Sequence, residues 1–435
     1  MLASLGDTLL DRRRFTLAML GYFLLLYAIQ AFLFPGGVND DSEQLLYSQS
    51  FQFGYGLRNP PLYTWLVIAV QRVFGVSLWA LALVKFLLLA GTYLLLAAAA
   101  LRIFDDHRWA IAAALAPFGI YFVAWDAVRN YTHSVLMICM AVLTFYCLLR
   151  IVNQGRWWWH AALGLAIGAG TLAKYNYLLF AGALLASAAL DRDVRRRLWN
   201  PRMVVTLLVA ALVLLPFLLY ALDQTAGLGS RPIGRKESTG LATAPLEAIQ
   251  EGVTHLVVAG ASFLSPLLLL LPLFFWRAFR PIEGQADDAK MRPAMNLLGR
   301  ALVIQLAGVL ALELLVAPRI HIYFIFILFP LWFLLRARLA GAPPAALARF
   351  AGTMAVLALL VPAAILVKFA TDPLKASRKP YVNMPFPALS ERLKAAGFTG
   401  GTVYSWDESY GLSGNLRLYL PEARYITPNF GHFSP

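Results

Sequence analysis

What most constrains this chain is a succession of apolar runs, each near the length of a bilayer crossing and separated by short arginine clusters. They lie near 15–34, 78–103, 109–125, 132–150, 158–173, 176–190, 202–222, 255–276, 300–317, 320–336 and 350–370. A hydrocarbon core of about 30 Å takes about 20 apolar residues, so the runs predict about eleven spans. Of 435 residues, 60% are hydrophobic, well above the roughly 45–50% of a soluble domain. The expected fold class is an all-α polytopic membrane protein.

The net charge of +14 raises the question of nucleic acid, but the arginines are not gathered on one face. Arg12–Arg14, Arg102 with Arg108, Arg150 with Arg156, Arg192 with Arg195–Arg197, Arg277 through Arg300, and Arg336 with Arg338 and Arg349 all fall on one side if spans alternate. Positive residues mark cytoplasmic connections. The N-terminus is therefore expected inside, with the first span as its own uncleaved signal, and the C-terminus and the acidic loop outside. No nucleic-acid partner is implied. Cys139 and Cys147 share one run; eight helical residues separate them by roughly 12 Å, too far for a disulfide.

Directly after the first run comes a polar island, Asn39 to Trp65, within an outer loop 35–77. It opens with Asp40, Asp41 and Glu43 in a chain only 14% charged. Ionisable groups concentrated at the mouth of a span mark a site more often than a solvated connection. Six aromatics and Pro60-Pro61 suit a segment lying on the membrane surface. The basic residues left outside, Arg58, Arg129, Lys174, Arg231, Arg235, Lys236 and Arg319, form a second set. Arg58, Lys174 and Arg319 stand at outer ends of apolar segments, where a bundle could gather them around a phosphate; the plain alternative is snorkelling to headgroups.

Asp40-Asp41, Gly54-Tyr55-Gly56 and Asn59-Pro60-Pro61-Leu62-Tyr63-Thr64-Trp65 resemble the first outer loop of the GT-C superfamily of lipid-linked-sugar glycosyltransferases. Within it the loop is most similar to glycosyltransferase family 39, the ArnT and protein O-mannosyltransferase group, and especially to short bacterial members related to the rhizobial galacturonosyltransferases. The resemblance implies a GT-C fold and a polyprenyl-phosphate sugar as donor. It implies transfer with inversion to a lipid A, lipopolysaccharide-core or other periplasmic acceptor at the inner membrane, by a monomer. It assigns Asp40 and Asp41 to catalysis, and Lys174, in Ala173-Lys174-Tyr175-Asn176, and Arg319, in Pro318-Arg319-Ile320-His321-Ile322-Tyr323, to the donor phosphate. Arg58 takes the place of the lysine that larger relatives carry where Asn59 stands. Glu43, Asn59, Tyr63, Arg129, His133, His321 and Tyr323 are the supporting set, with His133 where a carboxylate is often found. A divalent metal on Asp40 and Asp41 is left open, and no other cofactor is expected.

The chemistry agrees. The acceptor hydroxyl needs a carboxylate base, the departing phosphate needs fixed cations in a water-poor site, and the donor tail needs a groove among helices. A protein O-glycosyltransferase of the same fold is one alternative. A flippase is another; it would place ionisable groups near the midplane, for which Lys85 and Glu313 are candidates, and would show internal repeats, of which there is no clear sign.

Residues 223–254 read as a flap or a connector. The chain divides into a membrane domain, 1–371, and a small outer α/β unit, 372–435, with a helix from Pro385 stopped at Gly397, a strand Thr402–Trp406, a helix Tyr410–Tyr419 and a strand Ala423–Thr427.

Overall fold

The structure, a computed structural model, describes residues 1–227, 245–282, 290–315, 320–371, 384–406 and 410–428. A short helix α1 (Leu2–Leu9) leads into α2 (Arg12–Leu33), whose first turn is capped by Asp11 accepting from the Arg14 N–H. The acidic loop then forms α3 (Asp40–Tyr47) and α4 (Leu62–Phe74). Ser77 caps the long α5 (Leu78–Ile103). After it come α6 (His107–Leu115), α7 (Ala127–Arg129), α8 (His133–Gln154), α9 (Trp157–Ala173), α10 (Tyr177–Leu190), α11 (Arg192–Leu198) and α12 (Met203–Gly227). The later bundle holds α13 (Pro245–Leu264), α14 (Leu267–Phe275), α15 (Met291–Leu315), α16 (Phe329–Leu339) and α17 (Pro344–Thr371).

Among the described residues six helices, α2, α5, α8, α12, α15 and α17, are long and apolar enough to cross a membrane. Several of the eleven apolar runs are not single continuous helices. Run 109–125 becomes α6, a 3-10 turn and a π turn; run 255–276 divides into α13 and α14 at Ser265-Pro266; run 320–336 starts as a 3-10 segment before α16. Pro117, Pro266 and Pro330 lie at these breaks, where proline removes a backbone donor and clashes with the preceding turn. Small residues set the closest packing: a Cβ at Gly164 would meet the Thr206 carbonyl, and one at Gly168 would meet Val213, so α9 lies tight on α12.

The two ends of the bundle differ in chemistry. At one end Asp7 pairs with Arg108, Arg338 with Asp105 at 2.6 Å, and Lys290 donates to the Phe104 carbonyl at 3.0 Å. At the other lie α3, the α7–α8 turn and the α9–α10 turn. There the chain ends in α18 (Phe386–Ala395), β1 (Thr402–Tyr404), α19 (Gly411–Leu416) and β2 (Arg424–Ile426). The strands pair in parallel with Thr402 opposite Arg424, and Gly397 turns with φ 92° after α18. This small unit shares a hydrophobic cluster with α3, in which Leu46 and Tyr47 meet Phe386, Leu416, Leu420 and Tyr425.

Candidate active site

The acidic helix α3 starts at Asn39, which holds φ 48°, a region that asparagine tolerates better than most side chains. Its amide donates to Asn130 Oδ1 at 2.8 Å, and Asn130 in turn donates to Asp126 Oδ1 at 2.7 Å. The turn before α8 thus orients the residue just before Asp40. That turn does hold a carboxylate, Asp126, which reaches Asn39 only through Asn130.

Asp40 and Asp41 have different surroundings. Asp41 is fully buried, and the Lys85 ammonium lies 2.7 Å from one carboxylate oxygen and 2.8 Å from the other. Gln30 donates to the same Oδ2 at 2.7 Å. Asp40 is partly open, and its Oδ2 accepts from the Thr132 N–H at 3.2 Å and faces the Thr132 hydroxyl at 3.5 Å. Burial pushes its carboxyl up, while the charges of Lys174 and Lys85 and the Thr132 N–H pull it down. Glu43, 6% exposed, is pushed up to about 7 by burial and then by the Asp40 charge, with Arg58 acting against it. Lys174 is anchored by donating to Ser134 Oγ at 2.8 Å; burial draws it down to about 8 against the pull of Asp40.

Behind these groups a buried relay fixes the floor. Thr64 donates to Gln44 Oε1 at 2.7 Å, and the Gln44 amide lies 3.1 Å from His133 Nε2. The amide donates, so Nε2 accepts and the imidazole is neutral with its proton on Nδ1. Tyr63 is fully buried with its ring 5.8 Å from that of His133.

Of the residues predicted from sequence, the structure gathers Asp40, Asp41, Glu43, Lys174, His133 and Tyr63. Arg58 is exposed at the rim, close enough for its charge to act on Glu43 and Lys174, and Asn59 sits half-buried beside it. Arg129 bears on Asp41 and lies over the Trp125 ring at 5.4 Å. Tyr323 packs on α13, donating to the His255 carbonyl at 3.3 Å, and is not part of this cluster. Arg319, the His321 and Glu313 side chains, Arg231, Arg235 and Lys236 lie outside the described residues.

Sequence reasoning did not place Lys85, Gln30, Gln44, Thr132 or Ser134 in the site. A lone lysine inside run 78–103 was the signal for Lys85, and it pointed to transport; the structure spends that charge on Asp41. The glycines of Gly54-Tyr55-Gly56 also gain a reason. A Cβ at Gly54 would enter the Tyr220 ring, and the Gly56 N–H donates to Tyr220 Oη at 3.0 Å, so the loop that carries Arg58 is seated on α12.

The residues do not suit a divalent ion bridging the acidic pair, because Asp41 is already committed to an ammonium. Among the described residues no three His, Cys, Asp or Glu side chains stand together as a metal set.

Residues 58–220 match the family model described as dolichyl-phosphate-mannose-protein mannosyltransferase. The lipopolysaccharide core galacturonosyltransferase RgtB of Rhizobium johnstonii is 30% identical over 406 residues, covering 91% of this chain and 79% of that one. RgtA of the same organism, also a lipopolysaccharide core galacturonosyltransferase, is 27% identical over 420 residues, covering 95% and 82%. ArnT from Cupriavidus metallidurans, solved with undecaprenyl phosphate bound, superposes with TM-score 0.63 at 13% identity over 96% of this chain and 86% of that one. An acidic helix at the mouth of a broken-helix bundle and these likenesses agree, and the chain belongs to the GT-C membrane glycosyltransferases, in the family 39 branch that includes the lipopolysaccharide core galacturonosyltransferases.

Proposed function

We propose that the protein moves a uronic acid, in the first instance galacturonic acid, from a polyprenyl phosphate to a lipopolysaccharide-core or lipid A acceptor, at the periplasmic face of the inner membrane. The acidic end of the bundle and both outer turns face the periplasm in this reading, and the N-terminus faces the cytoplasm. The sugar and acceptor class are those in the names of the two rhizobial relatives, and the lipid carrier is that bound by the ArnT neighbour.

The observation that carries the mechanism is the division between the two aspartates. Asp41 is sealed and neutralised by Lys85, while Asp40 is open to the site and held by the Thr132 N–H. Asp40 takes the proton of the acceptor hydroxyl as its oxygen bonds to the anomeric carbon from the face opposite the phosphate. The bond from that carbon to the phosphate oxygen breaks, its electron pair leaves with the phosphate, and the configuration inverts. Lys174 and Arg58 stabilise the departing phosphate, with Arg319 as the third cation of the set. A polyprenyl phosphate is already a good leaving group, so no acid need protonate it. No step runs through a metal ion.

A transport role would need Lys85 to stand unpaired along a polar path; its ion pair with Asp41 argues for a fixed structural charge. The test is transfer by the purified protein from polyprenyl-phosphate galacturonic acid, with lipopolysaccharide core and a serine peptide offered as separate acceptors. Asp40→Asn keeps shape and hydrogen bonding but removes the base. Transfer should fall by roughly 10²-fold or more, the usual worth of a positioned base, with donor binding retained. Near-normal turnover by Asp40→Asn would sink the mechanism, and transfer to the peptide alone would change the acceptor.

A further inference from the structure

One side of α3 carries the acids into the site, and the other is held by the C-terminal unit. Just before the N-terminal end of α3, Asn415 clasps the backbone of one residue: its Oδ1 accepts from the Gly37 N–H at 2.7 Å and its Nδ2 donates to the Gly37 carbonyl at 3.1 Å. That amide is fully buried and is itself fixed by donating to the Gly411 carbonyl at 2.8 Å. At the C-terminal end, Arg417, 6% exposed, donates to the Leu45 carbonyl, to Ser48 Oγ at 2.7 Å and to the Ser48 carbonyl at 3.0 Å. Carbonyls of a last turn have no partner within the helix, and a cation there also suits the helix dipole. Between the two, α19 lies so close that a Cβ at Gly414 would run into the Ser42 carbonyl. Ser42 sits between Asp41 and Glu43.

A helix of eight residues is too short to be stable alone, so its position is set by whatever grips its ends. We propose that Asn415 and Arg417 are positioning residues of the transfer reaction: by clamping the two ends of α3 they hold the Asp40 carboxylate in line with the acceptor hydroxyl. The C-terminal unit is then part of the active site, although neither residue touches substrate. This rests on the reading of Asp40 as base.

The full-length protein is assayed for kcat, for affinity toward polyprenyl phosphate and for thermal melting. Asn415→Ala removes the clasp, Gly414→Ala drives a wedge against Ser42, and Arg417→Lys keeps the charge but cannot span all three acceptors. Ser413→Ala is the control, because it breaks a hydroxyl pair with Ser405 inside the C-terminal unit and leaves α3 untouched. Displacing a reacting group by about 1 Å costs up to about 10²-fold. The expected result is a loss of about 10- to 100-fold in kcat for Asn415→Ala and Gly414→Ala, and a smaller loss for Arg417→Lys. Polyprenyl phosphate affinity and melting should match the Ser413→Ala control.

Wild-type kcat in Asn415→Ala and Gly414→Ala would overturn the proposal. So would kcat, affinity and melting falling together below the Ser413→Ala control, or failure of all three variants to fold, since the contacts would then serve folding alone. Asp40→Asn is run alongside: turnover retained there removes the base reading, while a kcat loss in Asn415→Ala would still show that the placement of α3 matters.

Discussion

The Lys85 ammonium sits between the two oxygens of Asp41, at 2.7 and 2.8 Å, with both side chains fully buried. The pair joins α5 to the acidic helix and leaves Asp40 as the member of the acidic pair without an ammonium partner of this kind. Removing one partner of such a pair leaves an uncompensated buried charge, at a cost of about 3–5 kcal/mol, whereas replacing both with apolar groups can be nearly neutral. Lys85→Met should therefore lower the melting temperature strongly, and Lys85→Met with Asp41→Leu should recover most of the loss. If the single and double variants melt alike, the charge interaction is not what holds α3 to α5.

Lys174 is expected to act on the donor. Losing a charge-assisted contact to a phosphate costs on the order of 1.5–3 kcal/mol, which is about a 10- to 100-fold loss of donor affinity. Lys174→Ala should show this loss in direct binding of polyprenyl-phosphate sugar to folded protein in detergent. Unchanged affinity would assign Lys174 to the headgroup region instead.

Donor affinity should also depend on pH. Glu43, pushed up to about 7, is neutral on the acid side and becomes an anion as pH rises through that value, and Lys174, drawn down to about 8, loses its cation somewhat higher. Both changes disfavour a sugar phosphodiester of fixed negative charge, so its affinity should fall from about pH 6 to about pH 9. Glu43→Gln should remove the lower step and leave the upper one. Affinity that rises with pH, or a profile unaltered by Glu43→Gln, would remove Glu43 from the site's charge balance.

The placement of the acidic end outside can be checked by reporter fusion. A periplasm-dependent reporter joined after Pro435 should be active and one joined near Arg196 silent, following the bias of basic residues toward the cytoplasmic side. The opposite pattern would turn the whole bundle over.

The membrane fold was legible from local composition. Runs of apolar residues, arginine-bearing connections and the helix, strand, helix, strand order after residue 384 are each set by neighbours along the chain. So was the acidic loop, because its residues are consecutive and their family pattern is compact. What the runs did not reveal lies at Pro117, Pro266 and Pro330, where a continuous apolar stretch hides a break in the backbone.

By itself the sequence determined a bundle with a cluster of acids at one mouth; what surrounds each acid was decided by tertiary structure. Asp40 and Asp41 are adjacent on a helix, so their side chains diverge by about 100° and face different neighbours. Those neighbours come from far away: Lys85 lies 44 residues from Asp41, Thr132 lies 92 from Asp40, and the clasp on Gly37 comes from Asn415, 378 residues on. Helical periodicity fixes the direction in which each carboxylate leaves its helix. The cation, amide or opening that it meets depends on how α5, α8 and α19 pack around α3, and no local pattern encodes that.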